Sequence, residues 1–164
     1  MLQPLVRRTW APRGKTPVHR SWDRHDRLSI ISAITISPRS HRLQLHFRVH
    51  YDNIRHPEAE AFLRQLRRTT GRRLLVVWDR LNVHRTAASH LSEQASYAFE
   101  WLPGYAPDLN PVEMVWNRTK YVELANFIPD DLSDLHFAAA FRLGLMRDEQ
   151  ALLGSFFQHA KLFL

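Results

Sequence analysis

The sequence predicts an α/β fold built on a mixed sheet, and three observations carry that expectation. Two β-patterned runs face each other across a short turn between residues 27 and 49. Helical and short apolar segments then alternate from Pro57 to Leu102. A hydrophobic content of 45% in 164 residues suffices for one sizeable core, and residues 1–164 read as one incomplete domain. Five tryptophans and 24% charged residues argue against disorder.

Residues 1–17 are basic and proline-rich, an irregular or short extended segment closed by a turn at Gly14. A chain opening directly on Leu2, Leu5 and Val6, without a cap or polar lead-in, reads as cut into. Arg27 to Ile36 is β-branched and apolar, a buried strand, and Ser37-Pro38-Arg39-Ser40 is a turn. Leu43 to Val49 alternates apolar and polar residues and completes an antiparallel hairpin. Pro57, the early carboxylates Glu58 and Glu60, and the spacing of Phe62, Leu63 and Leu66 predict a helix to about Thr70, its basic end suiting the helix dipole. After Gly71, Arg73 to Trp78 is a short apolar run of the kind a central strand shows, and it ends on Asp79. His84 to Ala95 is helical with Ala87, Ala88, Leu91 and Ala95 inward, and Tyr97 to Leu102 is a short strand. A helix starts at Pro111. Asp130 or Asp131 caps another that runs through Phe137, Phe141 and Leu145, and Leu152 to Leu164 forms a last one. If one strand is missing upstream of Met1, this order becomes three antiparallel strands followed by βα units, the ribonuclease-H-like arrangement.

Charge narrows the partners. The net charge is +7, with 18 Lys and Arg against 6 acids in residues 1–85 and 5 against 10 thereafter. Such asymmetry suggests a polyanion, and 20 of the 23 cations are arginine, which suits forked phosphate contacts. A GC-rich genome favouring arginine codons is the competing explanation. There is no cysteine, which excludes disulfides and thiolate metal sites and fits a reducing cytoplasm. No apolar run approaches the roughly 20 residues of a membrane helix, and no signal-peptide core is present, so a soluble protein is expected.

The densest local signal is Leu102 to Lys120. Three prolines and a glycine exclude regular structure up to Asn110, and Asn110-Pro111-Val112-Glu113 then places an N-cap, a proline at the first helical position and a carboxylate at the third. Glu113 either closes a capping box on Asn110 or does chemistry. Asp79, at the C-terminal end of an apolar strand, either caps a turn or occupies the position where α/β sheets carry ligand sites. A carboxylate on a strand and one on a packed helix can converge on a divalent metal. Magnesium needs only one or two protein carboxylates, and paired ions suit phosphodiester chemistry.

Val77-Trp78-Asp79-Arg80-Leu81-Asn82-Val83-His84-Arg85, followed by Leu102-Pro103-Gly104-Tyr105-Ala106-Pro107-Asp108-Leu109-Asn110-Pro111-Val112-Glu113 and then Trp116 and Lys120, closely resembles DDE transposases of the bacterial insertion-sequence group related to mariner elements. Ala106, Val112 and Thr119 are mild departures from the family pattern. The resemblance runs upstream through Trp10 to Pro17 and downstream from Glu123 to Pro129. It implies a ribonuclease-H-like mixed sheet flanked by helices, with Asp79 and Glu113 as catalytic metal ligands for Mg²⁺ or Mn²⁺. His84, Asn110 and Lys120 would stand beside the metal or touch DNA. For His84 a partly exposed helix-start histidine, and for Lys120 a solvated lysine, are the plain alternatives, while Trp116 reads as core packing. His41, His46, His50 and His56 show no zinc spacing and read as surface residues.

The resemblance also places a first catalytic Asp on a strand about 15 residues before the Trp10 segment, where this sequence has only nine residues and no acid. Asp23 and Asp26 lie after that segment and do not match. The expectation is therefore a domain with its first strand and first metal ligand largely missing, inactive alone, whose intact form cuts DNA and joins the freed 3′-hydroxyl to a target. A homodimer is compatible with it. A non-enzymatic basic DNA-binding relic or competitor is the alternative.

Overall fold

The structure is a computed structural model that describes residues 10–15 and 27–162. Expectations about Leu2, Leu5, Val6, Asp23, Asp26 and the last two residues lie outside the described residues. Trp10 to Lys15 ends in a turn in which Lys15 N donates to Pro12 O at 2.9 Å and Gly14 takes φ 84°, a left-handed conformation that glycine adopts without penalty. Among the described residues no helix is long and apolar enough to cross a membrane.

The hairpin forms as expected. Strands β1 (Ser29–Ile36) and β2 (Leu43–His50) pair antiparallel from Ser29 opposite His50 to Ile36 opposite Leu43. The outer edge of β2 is covered: Leu45 N donates to Arg147 O, Leu43 N to Gln150 Oε1, and Gln150 Nε2 returns a bond to Leu43 O at 2.7 Å. One glutamine thereby stands in for a neighbouring strand.

Helix α1 (His56–Thr70) begins where Arg55 N donates to Glu58 Oε2 at 2.9 Å and ends at Gly71, whose φ of 63° gives the left-handed cap. Strands β3 (Leu74–Trp78) and β4 (Tyr97–Trp101) pair in parallel, linked by α2 (Asn82–Leu91). Helix α2 stops at Leu91, four residues short of the expectation, and Ala95 is exposed. The chain there closes into turns in which Gln94 N donates to Leu91 O and Tyr97 N to Gln94 O.

The sheet itself departs from expectation. Among the described residues the four strands make two two-stranded sheets, β1-β2 and β3-β4, rather than one mixed sheet. A cavity of about 1570 Å³ lies between β1 and β3 and is lined by residues of both. A ladder needs neighbouring strands about 4.8 Å apart, and no hydrogen-bonded pairing joins β1 to β3 among the described residues. For the same reason β3 is not the fully buried central strand its composition suggests: Leu75 and Val77 are 66% and 55% exposed. The coarser expectation holds, a mixed α/β structure of small sheets flanked by helices.

Helix α1 spans the gap. Phe62 packs with Ile31 of β1, while Leu63 and Leu66 pack against Leu74, Val76 and Trp78 of β3. On the other side, helices α3 (Pro111–Arg118), α4 (Leu132–Met146) and α5 (Gln150–His159) bury Val115, Leu143, Met146, Leu153, Phe156 and Phe157 against Leu43 and Leu45. Helix α5 starts two residues before the expected Leu152 and ends at His159. Asp131 caps α4, its Oδ1 accepting from Asp134 N at 2.8 Å. The buried side of α4 is Leu135, Ala139, Leu143 and Met146, and the Phe137, Phe141 and Leu145 stripe that marks the helix in sequence faces outward.

Candidate active site

Strand β3 delivers Asp79 to the cavity. The residue follows Trp78, and its Oδ1 accepts from Leu81 N at 3.1 Å and from His84 Nδ1. The His84 ring stacks on Trp78, with centroids 4.2 Å apart and planes 6° apart. Strand end, turn and first turn of α2 thus hold one another, and His84 is the clamp. His84 stands in the first turn of α2 with its side chain 17% exposed, so it is the partly exposed helix-start residue of the plain reading and at the same time a partner of Asp79.

Helix α3 delivers Glu113 from the other side. The 3₁₀ turn Pro107–Leu109 closes with Asn110 N donating to Pro107 O at 2.9 Å, and Asn110 Oδ1 caps α3 by accepting from Val112 N at 3.1 Å. That first bond uses the Asn110 N–H that a capping box would need, and Glu113 forms no such box. Val115 is fully buried beneath the hairpin leucines, and Glu113, two positions earlier and about 200° round the helix, lines the cavity instead. Among the described residues no hydrogen bond or ion pair occupies the Glu113 carboxyl. Burial, and then the negative charge of Asp79, hold it above the ordinary carboxylate value.

The α-helix ends at Arg118, and Thr119–Glu123 forms a π-helical turn. Fully buried Thr119 satisfies its hydroxyl on Val115 O at 2.7 Å, and Leu124 N reaches Thr119 O at 2.9 Å. Glu123 ties this turn down, accepting from Arg118 Nε at 2.9 Å. Lys120 lies on the turn with Nζ 5.5 Å from the centre of the Tyr121 ring, and it lines the same cavity. Trp116 corrects the sequence reading: it is half-buried and lines the cavity, outside the hydrophobic clusters.

Asp79, His84, Asn110, Glu113 and Lys120 therefore all line one cavity, brought there by the end of β3, the first turn of α2, the start of α3 and the π-helical turn, with 34 positions separating the two acids. Exposed Arg42, Arg72 and Arg73 also line this cavity, the last two at the opposite end of β3 from Asp79. The donor set fits a hard divalent cation. Both acids offer oxygen, and among the described residues Asp79 commits only Oδ1 to hydrogen bonds and the Glu113 carboxyl is uncommitted.

Three histidine readings need revision. His46 is half-buried against Thr35 Oγ1 at 3.0 Å, and burial, with Arg147, pushes it below the ordinary imidazole value. His50 has a buried Nε2 without a hydrogen-bond partner among the described residues. His56 gathers with Glu60 and His90. The partners of His46 and His56 come from another strand, a helical turn or a distant helix, and the spacing alone did not reveal them.

A family model described as DDE superfamily endonuclease matches residues 1–136. No curated protein and no solved structure matches the chain.

Proposed function

The chain belongs to the DDE superfamily endonucleases, and from that premise we propose that Asp79 and Glu113 are metal-ligating catalytic residues of a transposase-type domain that cleaves DNA and transfers the cut strand. The observation that carries the reading is the convergence of these two acids on one cavity, with the charge of Asp79 felt by Glu113. Mg²⁺ or Mn²⁺ is the fitting ion. When bound, it neutralises charge at the scissile phosphate and activates the attacking oxygen.

The chain's own residues do the rest. His84 orients Asp79 by holding Oδ1 and leaves Oδ2 for the site. Asn110 fixes the first turn of α3, which sets where Glu113 projects. Lys120 and the exposed Arg72 and Arg73 supply positive charge along the cavity wall, where a DNA phosphate backbone would lie.

Two carboxylates are one short of the set the family resemblance implies. A strand seated between β1 and β3 and ending in a third carboxylate would join the two sheets into one ribonuclease-H-like mixed sheet and complete the site. The described chain by itself is accordingly expected to be inactive in cleavage. The test adds such an Asp-ending strand at the N-terminus and measures Mg²⁺-dependent nicking of duplex DNA. Activity that disappears with Glu113→Ala supports the reading, and full activity in that variant would sink the metal role. Robust Mg²⁺-dependent cleavage without the added strand would remove the need for a third acid. DNA binding that falls steeply with salt, ignores Mg²⁺ and never leads to cleavage would replace catalysis by a DNA-binding role.

A further inference from the structure

We propose that His56, Glu60 and His90 form a second metal site, for a zinc-class transition-metal ion, that fastens the first turn of α1 to the last turn of α2. Glu60 Oε1 lies 3.3 Å from His56 Nδ1 and 2.8 Å from His90 Nδ1, and the three ligand atoms all fall within 4.8 Å of one another. In a tetrahedral zinc site with bonds of about 2.0–2.1 Å, neighbouring donor atoms stand about 3.3 Å apart. Two edges of such a site are therefore already near their final length. The third closes by small rotations of His56 and His90, whose side chains are 43% and 50% exposed.

The ligand platform is rigid where it needs to be. His56 and Glu60 are one helical turn apart on α1, the spacing that places two side chains on the same face. Glu60 is only 16% exposed and its other oxygen, Oε2, is 3.7 Å from Arg64, so Oε1 is held toward the two rings. Helix α2 then brings in His90 from 30 residues away. The rings meet edge to face with centroids 5.2 Å apart, which directs both Nδ1 atoms to the same oxygen.

The donor chemistry chooses the ion. Two imidazole nitrogens and one carboxylate suit zinc and its neighbours and leave a fourth position to water, whereas Mg²⁺ prefers an all-oxygen set. The site is distinct from the proposed catalytic pair, because none of its three residues lines the cavity that holds Asp79 and Glu113. Its effect is mechanical. Helix α2 carries His84 in its first turn, and an ion at the opposite end would brace the helix that steadies Asp79.

Isothermal titration of the tag-free full chain with zinc sulfate tests the site. The expected result is one tight site that weakens at least 10-fold in His90→Ala and in Glu60→Gln, with Asp79→Asn/Glu113→Gln binding zinc as the unaltered chain does. Zinc at about 100 times the dissociation constant should raise the melting temperature by roughly 5–10 °C in the unaltered chain and not in His90→Ala. His56→Gln, at the exposed start of α1, serves as the variant least exposed to folding damage. Unchanged zinc affinity in His90→Ala and His56→Gln would overturn the proposal, as would the absence of any zinc-induced thermal shift. Loss of the tight site in Asp79→Asn/Glu113→Gln would move the ion to the cavity and overturn it equally.

Discussion

His84 is bonded through Nδ1 to Asp79 Oδ1 and stacked on Trp78, the residue immediately before Asp79 in β3. One imidazole therefore grips a strand end from two directions. A hydrogen bond alone would orient the carboxylate; the 4.2 Å stack also limits the ring's own rotation.

His84→Ala is expected to lower Mn²⁺ affinity by about 10-fold to 100-fold, the usual cost of removing a group that orients a metal-ligating side chain. Mn²⁺ titration monitored by electron paramagnetic resonance measures it. Unaltered affinity in a folded variant would reduce His84 to packing on Trp78.

Glu113→Gln should make the metal-free protein more stable at neutral pH. The Glu113 carboxyl sits above its ordinary value because of burial and then Asp79, so the folded state holds this proton more tightly than the unfolded state. Stability is then lost as pH rises from the ordinary value near 4.3 through the raised folded value, and Gln does not pay it. Melting curves in EDTA should show the variant higher at pH 7 and the two converging below about pH 4. Mn²⁺ should narrow the gap at pH 7, and a variant that melts lower in EDTA at that pH would contradict the argument.

Asn110→Ala removes the acceptor for Val112 N at the start of α3 and should cost about 1 kcal/mol, or roughly 2–4 °C in melting temperature. Because this cap also sets the direction of Glu113, Mn²⁺ affinity should fall together with stability.

Leu45→Ala should be far more damaging, about 2–5 kcal/mol by chemical denaturation, since Leu45 is fully buried where β2 meets α3, α4 and α5. The matching change at outward-facing Phe137, Phe137→Ala, is expected to stay within about 0.5 kcal/mol.

Arg72→Gln and Arg73→Gln should each reduce the slope of log affinity against log salt for duplex DNA by about 1, evenly across sequences. Fluorescence anisotropy over a salt series reads this. Slopes that do not change would take both arginines off the DNA path.

Local chemistry made much of this legible without coordinates. Hairpin alternation, Pro57 with Glu58, the left-handed stop at Gly71 and the Asn110-Pro111 start of α3 all act within a few residues, so their geometry is written where it is used. The same holds for Asp79 and Glu113 as prominent acids. Their convergence was left open by the residues themselves and implied by the resemblance, since a separation of 34 positions carries no distance information.

The sequence by itself determined the order and type of the elements, the basic first half and the acids worth watching. Tertiary structure alone decided that the strands form two sheets with a cavity between them, that α4 turns Leu135 inward and Phe137 outward, that His84 clamps Asp79, and that His56, Glu60 and His90 meet. The reason is physical. Periodicity and capping are set by neighbours along the chain, whereas sheet continuity, the choice between two apolar helix faces and the partners of a histidine are set by whatever packing brings alongside.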